Sequence, residues 1–377
     1  MIPSQKLLRT DIRLFVSIIT LLLIVGIIFI YSASAVFALE KYKSSHYFLK
    51  KHGEGLVIGL LGFLILRLVP KKWIIKFCPV AFWTSLLLTM LTFFSAFSVH
   101  IHGSSRWLNL FGLVFQPSEL LKMTFILYMA FLLTKKEYSL RSLKKTYIPL
   151  MMILGITALV LLRQPDFGMA ITLTLTAFAL MFVAHIPLNY LLITIGGSIP
   201  LVIFLILFKA YRLKRILTFL NPWSDPQGAG FQIIQSLIAI GSGNVWGVGI
   251  SNSQQKFFYL PMQHTDFIFS IIAEETGFFG ALFLITLYLL LLFIGLRMAW
   301  RLPDRFAMLV VVGFIVVTSL QAIINLAVAT GLAPTKGIGL PFISYGNTAL
   351  VTNLCMVGLI INLVRHAVRE ETTSIRF

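Results

Sequence analysis

Residues 259–296, YLPMQHTDFIFSIIAEETGFFGALFLITLYLLLLFIGL, join a mostly polar segment to a long apolar run and place Asp266 at the junction. The apolar part, 266–296, is long enough to cross a hydrocarbon core of about 30 Å as a helix. The whole chain of 377 residues has only 13 acidic residues against 31 basic ones. Because an ionised group at bilayer depth costs at least about 3 kcal/mol and is usually retained for function, Asp266 is the first candidate for a functional residue.

The composition is that of a protein whose solvent is mostly lipid. Hydrophobic residues make up 58% of the chain, charged residues 12%, and the mean hydropathy is +0.92. We expect an all-α polytopic membrane protein with about ten transmembrane helices, both termini in the cytoplasm, and a single membrane domain over 1–377. Its long extracytoplasmic loop, 209–265, is expected between the seventh and eighth helices. The apolar runs are 14–36, 54–69, 77–99, 114–134, 147–162, 168–184, 187–208, 266–296, 306–330 and 341–364.

The formal charge of +18 reflects basic residues that flank the apolar runs, so it indicates membrane topology and not nucleic-acid binding. Two groups fall on the predicted outer side and are exceptions to the positive-inside rule. They are Lys41, Lys43, Lys50 and Lys51 in the first outer loop, and the basic cluster 209–215. Cys78 and Cys355 lie in different runs and predict neither a disulfide nor a metal site.

The long loop contains FQIIQSLIAI, residues 231–240, between turn-forming segments. This pattern predicts a short helix. A helix lying in the membrane interface and a partly buried packing element are both compatible with it.

The stretch HGSSRWLNLFGLVFQPSELLK, residues 102–122, carries the first polar constellation. Arg106 offers a fork of donors that suits phosphate, and Trp107 prefers the membrane interface; alone, the pair favours an interfacial anchor. Glu119 and Lys122, three residues apart on the next helix, favour a structural ion pair.

Two carboxylates lie where helices are predicted to begin. Asp166, in RQPDFG at 163–168, either caps the following helix or acts directly. For Asp266 the residues alone favour capping, by Thr265 or by Asp266 itself. In a continuous helix Asp266 would share a small-residue face with Ser270, Ala273, Gly277 and Gly280, and Glu274 and Glu275 would point elsewhere.

The last constellation lies in QAIINLAVATGLAPTKGIGLPFISYGNTAL, residues 321–350. Gln321 and Asn325 form a polar stripe within a span, for which interhelical hydrogen bonding is the favoured role. Lys336, Ser344 and Tyr345 are predicted at the outer face, within reach of a ligand.

In order along the chain, RWLNLFGLVFQPSELLK, RQPDFG, NPWSDPQGAGFQIIQSLIAIGSG, NSQQKFFYLPMQHTDFIF and GLAPTKGIGLPFISYG resemble the motifs of the SEDS (shape, elongation, division and sporulation) family of bacterial membrane glycosyltransferases. NSQQKFFYLP and PTKG are more similar to the division branch than to the elongation branch. The sequence departs from the family pattern at Met262, where Glu is usual, at Asn244, where Gly is common, and at Asn347-Thr348, where Gly-Ser is usual.

The resemblance implies peptidoglycan synthesis by polymerisation of lipid II, the undecaprenyl-pyrophosphate-linked disaccharide peptide, on the outer face of the bacterial cytoplasmic membrane, in division at the septum. It assigns functional roles to Trp107 and Asp266. Asp266 is expected to act as the base, or to hold a divalent cation such as Mg²⁺ or Mn²⁺. Candidate substrate-binding residues are Arg106, Trp107, Glu119, Lys122, Asp166, Lys256, His264, Lys336, Ser344 and Tyr345, of which Arg106, Lys256 and Lys336 are expected to stabilise the diphosphate.

The expected partners are lipid II, a class B penicillin-binding protein and other division proteins. Two alternatives stay open from the sequence. One is a flippase that moves lipid II across the membrane, for which Glu119 and Lys122 are the best support, and the other is a scaffold for a transpeptidase.

Overall fold

The computed structural model describes residues 3–95, 97–101, 104–110, 112–135, 140–207, 210–228, 230–257 and 260–374. These residues are mostly helical and form the all-α architecture that the composition predicts. The α-helices are α1 (Pro3–Tyr42), α2 (Tyr47–Leu66), α3 (Lys71–Leu91), α4 (Pro117–Thr134), α5 (Ile148–Arg163), α6 (Phe167–Val183), α7 (Leu188–Leu207), α8 (Ala210–Leu220), α9 (Phe231–Ser242), α10 (Ile268–Trp300), α11 (Arg305–Ala329) and α12 (Asn347–Ser374).

Each of the ten predicted spans coincides with a helix, and α8 and α9 lie within the predicted long loop. Among the described residues, seven helices are long and apolar enough to cross a membrane. They lie in Lys6–Tyr42, Lys71–Leu91, Pro117–Thr134, Leu143–Arg163, Ile268–Trp300, Arg305–Ala329 and Asn347–Ala367. Helix α2 is not one of these seven, and α6 and the apolar part of α7, Leu188–Pro200, are shorter, so the number of ten crossings stays a prediction.

A buried ion triad fixes α1 against α10 at one end of the bundle. Both oxygens of Asp11, which is 1% exposed, lie 2.5 Å from arginine nitrogens, one from Arg297 and one from Arg301. Lys71 and Asp304 form a second pair of 3.3 Å between the starts of α3 and α11. We call this the basic end of the bundle.

Glycines bring α2 and α12 into close contact, as small residues commonly do between membrane helices. A Cβ added at Gly59 of α2 would lie 2.6 Å from Leu354 and 3.3 Å from the Cα of Val351. A Cβ added at Gly358 of α12 would lie 2.5 Å from the backbone oxygen of Phe63. These glycines therefore set the distance between the two helix axes.

Helix α10 is broken at Gly277, whose φ of 67° and ψ of −163° leave the helical region. The backbone groups freed by the break bond to the preceding loop. The N–H of Val248 donates to the carbonyl of Glu274 at 3.0 Å, and the N–H of Phe278 donates to the carbonyl of Asn244 at 2.9 Å. Asn244 has a φ of 46°, a conformation that asparagine tolerates better than most residues, so this departure from glycine fits the backbone. The prediction of one helical face from Asp266 to Gly280 is wrong, because α10 begins only at Ile268 and changes direction at Gly277.

A small antiparallel sheet, absent from the sequence prediction, precedes α4. It consists of β1 (Ser98–Ile101), β2 (Ser104–Leu110) and β3 (Leu113–Phe115) in the order β1-β2-β3. The predicted span 77–99 is therefore too long, since α3 ends at Leu91. Pro117 stands in the first turn of α4, as expected.

Candidate functional site

Four segments meet at the end of the bundle opposite the basic end, which we call the site end. They are β2, the turn 164–166 before α6, the turn 260–267 before α10, and the loop 330–346 between α11 and α12. Hydrogen bonds connect them in pairs. The Arg106 side chain bonds to the backbone of the 164–166 turn, and Tyr345 of the 330–346 loop donates its N–H to the carbonyl of His264 at 2.9 Å.

Asp266 lies in the turn that enters α10 and is half-buried. The first helical residue is Ile268 and the capping position is Phe267, without a side-chain cap, so the prediction of helix capping by Thr265 or Asp266 is wrong. Asn325 holds the backbone of this turn, since its side-chain amide donates to the carbonyls of Asp266 and Ile338, both at 2.7 Å. A Cβ added at Gly337 would lie 3.3 Å from the Asp266 carboxylate, so this glycine leaves the carboxylate accessible.

Arg106 connects the sheet to the second carboxylate. Its guanidinium donates to the carbonyls of Gln164 at 3.4 Å and Pro165 at 2.7 Å, and one nitrogen lies 3.9 Å from Asp166. Asp166 is buried and accepts the N–H of Met169 at 3.3 Å, which confirms its predicted capping role at α6. Neighbouring residues of a strand point to opposite faces, so Trp107 and Arg106 project from opposite faces of β2.

Two further cations reach the same region from other elements. Arg215 of α8 donates to the carbonyl of Thr335 at 3.0 Å, next to Lys336. The Lys336 ammonium lies 4.7 Å from the centre of the Phe167 ring, one residue after Asp166. Arg106, Arg215 and Lys336 thus accompany Asp166 and Asp266, and we call these five residues the charged cluster.

The electrostatics of the cluster favour a carboxylate that exchanges protons near neutral pH. Burial raises the pKa of Asp266 to about 6, although the positive charges of Arg106 and then Arg215 oppose this shift. Burial, followed by the charge of Arg215, lowers the pKa of Lys336 to about 8, and Asp166 opposes that change. At pH 7 the cluster therefore holds both an ionised Asp266 and a protonated Lys336.

Three predicted residues pack beside Asp266 and shape the turn. The hydroxyl of Ser344 donates to the carbonyl of Thr265 at 2.5 Å and accepts the N–H of Leu340 at 2.7 Å. His264 packs tilted against Phe48 of α2, with 4.4 Å between ring centres, and Tyr345 packs edge-to-face against it at 5.1 Å. Met262 has a φ of 58°, and its carbonyl accepts the N–H groups of Thr265 and Phe267. The residue that departs from the family pattern therefore shapes the turn through its backbone.

The structure does not bring Lys256 to the charged cluster, contrary to its expected role at the diphosphate. Its buried ammonium lies 3.6 Å from Glu275 and donates to the carbonyl of Ser251. Glu275 also accepts the hydroxyl of Ser32 of α1 at 2.6 Å, and Glu274 accepts the N–H of Gln254 at 2.9 Å. These contacts attach the loop before Asp266 to α1 and α10, and they separate Glu274 and Glu275 from Asp266 as predicted.

Glu119 and Lys122 form the expected ion pair on α4, with 2.6 Å between their charged atoms. Both side chains are buried, and Lys122 also donates to Gln321 of α11 at 3.4 Å. The pair thus connects α4 to α11. This geometry is that of a neutralised structural pair within the bundle.

The described residues contain no group of three or more His, Cys, Asp or Glu side chains placed to hold a metal ion. Asp266 offers a single, half-buried carboxylate. Mg²⁺ is commonly held by one or two carboxylates together with substrate phosphates and water, so this carboxylate fits a cation that arrives with a diphosphate.

Sequence reasoning misses three residues that matter for the geometry. From the sequence, Arg215 is recognised only as one member of a basic cluster, and Asn325 is interpreted as a helix-packing residue. No sequence feature distinguishes Gly337 from the other glycines. The signal for Arg215 is the exception to the positive-inside rule at 209–215.

Comparisons with known proteins agree with this architecture. The model of the FtsW/RodA/SpoVE family, described as "Cell cycle protein", matches residues 12–369. The chain is 41% identical over 342 residues to the "Probable peptidoglycan glycosyltransferase FtsW" of Geobacter sp. (strain M18), covering 90% of this chain and 92% of the relative. It is 38% identical over 372 residues to "Stage V sporulation protein E" of Bacillus subtilis (strain 168), covering 95% and 98% of the two chains.

Solved structures give the same result at the level of the fold. A chain from the structure described as "Structural coordination of polymerization and crosslinking by a peptidoglycan synthase complex" superimposes with a TM-score of 0.76 at 30% identity, covering 94% of this chain and 97% of that chain. The rod shape determining protein RodA of Thermus thermophilus superimposes with a TM-score of 0.68 at 26% identity, covering 93% and 95%. The chain therefore belongs to the FtsW/RodA/SpoVE family of cell cycle proteins.

Proposed function

We propose that this protein is a peptidoglycan glycosyltransferase that polymerises lipid II into glycan strands at the site end of the bundle, during cell division. The observation that carries the proposal is a half-buried carboxylate, Asp266, influenced by the positive charges of Arg106 and Arg215. The curated relatives named as peptidoglycan glycosyltransferases support the reaction class.

The reaction requires a base for the acceptor and charge stabilisation for the leaving group. Asp266 accepts the proton of the acceptor sugar hydroxyl while the hydroxyl oxygen forms a bond to the anomeric carbon of the donor. The bond from that carbon to the diphosphate breaks, and the diphosphate leaves with the electron pair. Arg106, Arg215 and Lys336 stabilise the negative charge on the diphosphate oxygens. A bound divalent cation would neutralise part of the same charge.

The base assignment rests on the position and the pKa of Asp266. A pKa of about 6 leaves the carboxylate about nine-tenths ionised at pH 7 and makes it a stronger base than an ordinary aspartate. Asp166 is buried and occupied by capping and by Arg106, so we assign it a positioning role.

The partner we propose is a class B penicillin-binding protein at the septum of the cytoplasmic membrane. One structural neighbour comes from a peptidoglycan synthase complex that coordinates polymerization and crosslinking, and this supports a crosslinking partner for the present chain. The neutralised Glu119–Lys122 pair gives no support to a flippase that would move charge through the bundle.

The deciding experiment gives purified full-length protein labelled lipid II and separates the products by length. We expect Asp266→Asn to lower polymerisation by at least about a hundredfold, since general-base catalysis contributes that much. The melting temperature of Asp266→Asn should not fall, because the raised pKa shows that the fold disfavours the ionised form of Asp266. Asp225→Asn, a carboxylate of the same large loop that pairs with Lys214, is the matched control and should keep wild-type activity.

Normal polymer from Asp266→Asn would refute the base role. Transport of lipid II into liposomes without any polymer from the wild-type protein would favour the flippase. Normal division in cells that carry only Asp266→Asn would favour the scaffold.

A further inference from the structure

A continuous aromatic cluster extends away from the charged cluster along the end of α1 and the start of α2. Tyr42 and Tyr47 stack with 3.9 Å between ring centres and 5° between ring planes. Tyr47 contacts Phe48 at 5.3 Å, and Phe48 contacts His264 at 4.4 Å. The rings thus run from an exposed position, where Tyr42 is 39% accessible, to the turn that carries Asp266.

The inner end of this cluster is attached to the proposed catalytic turn. Tyr345 contacts both Phe48 and His264 through its ring, and its N–H donates to the carbonyl of His264 at 2.9 Å. His264 is two residues before Asp266. The buried rings of Phe48 and His264 therefore hold the exposed Tyr42–Tyr47 pair beside the turn that carries Asp266, where a ligand that extends from Asp266 away from the bundle can contact it.

Four lysines surround the exposed part of the cluster. They are Lys41, Lys43, Lys50 and Lys51, and the same segment contains two glutamates, Glu40 and Glu54. Within the described part of the chain, Lys51 is the one of the four that pairs with a glutamate, at 2.9 Å from Glu54. The Lys41 ammonium lies 5.4 and 5.7 Å from the ring centres of Phe37 and Tyr42. The segment thus carries an excess of positive charge beside flat apolar rings.

Topology does not account for these lysines. They are exceptions to the positive-inside rule, because the site end is the predicted outer side. Lys43 also has a φ of 56° at the end of α1, a position that glycine normally occupies at lower cost. Attraction of a negatively charged external ligand accounts both for the lysines on the outer side and for a lysine at position 43, where glycine would cost less.

We propose that this aromatic–lysine surface, residues 40–51, which His264 and Tyr345 attach to the catalytic turn, binds the glycan strand that extends from the catalytic site. The proposal rests on the proposed function and deepens it. The apolar faces of the sugar rings pack on Tyr42 and Tyr47, and the lysines attract carboxylates of the peptide stems attached to the strand. A strand held here stays bound between successive additions, so the surface determines how long the product becomes.

The first test measures binding without catalysis. Purified full-length protein in nanodiscs of zwitterionic lipid is titrated with soluble glycan fragments that carry peptide stems and lack the lipid. The triple variant Lys41→Gln/Lys43→Gln/Lys50→Gln should bind at least about fivefold more weakly than wild type at low salt, and the difference should shrink as salt rises. Tyr42→Ala should weaken binding at all salt concentrations. The control variant, Lys72→Gln/Lys76→Gln/Lys144→Gln, removes three exposed lysines away from this surface and should bind like wild type.

The second test measures product length from labelled lipid II. The triple variant and Tyr42→Ala should make strands at least about threefold shorter than the control variant does. Equal binding and equal length would overturn the inference and leave the proposed function intact, whereas no polymer from any protein, with normal fragment binding, would overturn the proposed function alone. Shortening that occurs only in nanodiscs of anionic lipid would show that the lysines bind lipid headgroups, and would also overturn the inference.

Discussion

At the scale of single residues, the charged cluster predicts a bell-shaped dependence of kcat/KM on pH. Asp266 must be ionised and has a pKa of about 6, while Lys336 must be protonated and has a pKa of about 8. The value of kcat/KM should fall about tenfold per pH unit below the pKa of Asp266 and should decline above the pKa of Lys336. The measurement is the initial rate of lipid II polymerisation at low substrate concentration, over a range from about pH 5 to about pH 9.

The variant Lys336→Arg tests whether Lys336 causes the decline of kcat/KM at high pH. Arginine stays protonated throughout this range, so the decline above pH 8 should disappear while the acid limb is retained. An unchanged alkaline decline in Lys336→Arg would exclude Lys336 as the group responsible.

Gly337 gives a second prediction at this scale. Alanine at this position places a methyl group 3.3 Å from the Asp266 carboxylate, which is closer than ordinary van der Waals contact. We expect Gly337→Ala to reduce kcat at least about tenfold with little change in melting temperature, because small displacements at a reacting group are costly. Gly155→Ala, where an added Cβ meets nothing within 4 Å, is the matched control. Equal rates for the two variants would contradict a close approach of Gly337 to the reacting groups.

At the scale of elements, the buried pair Lys256–Glu275 attaches the loop before Asp266 to the broken helix α10. The side chains are 6% and 0% exposed, so removal of one charge leaves the other buried without compensation. Glu275→Gln should destabilise the fold by about 3–5 kcal/mol, visible as a lower melting temperature in detergent. Lys214→Gln breaks an exposed pair with Asp225 and should change the melting temperature little. A Glu275→Gln protein as stable as Lys214→Gln would show that the pair is not a fixed attachment.

The contact between α2 and α12 gives the second prediction for elements. Alanine at Gly358 places a Cβ 2.5 Å from the Phe63 carbonyl oxygen, and a backbone atom cannot rotate away. Gly358→Ala should therefore lower the melting temperature. Gly53→Ala on α2, where an added Cβ meets nothing within 4 Å, should maintain or raise it through higher helix propensity. Equal melting temperatures of the two variants would show that α2 and α12 can move apart without loss of stability.

At the scale of the whole molecule, the distribution of charge predicts the orientation in the membrane. The basic end carries Arg297, Arg301 and Arg305 and should face the cytoplasm, while the charged cluster should face outward. In a variant whose native cysteines are replaced, Gln227→Cys at the site end should react with an impermeant maleimide on intact spheroplasts. Lys72→Cys should react only after the membrane is opened. The reverse pattern would place the proposed catalytic site in the cytoplasm.

Much of the helical architecture could be predicted from the sequence, because length and apolarity alone identify membrane-spanning segments. Each predicted span contains a helix, and the short helix around Phe231 forms within the long loop as expected. Local capping was equally predictable at Asp166, whose carboxylate accepts the N–H of Met169. The sheet around Arg106 is not predicted from the sequence, because its strands are short and interrupted by turn residues.

The sequence by itself determined the membrane class and the approximate helices and singled out Asp266 as the candidate catalytic residue, since these depend on composition, periodicity and motifs. Only the tertiary structure decided which charges accompany Asp266. Lys256 lies 10 residues before Asp266 yet pairs with Glu275, whereas Arg215 arrives from α8, much further back along the chain. The physical reason is that a buried charge needs a partner close to it in space. The packing of the helices, of the broken α10 and of the small sheet determines which residue that is, independently of distance along the chain.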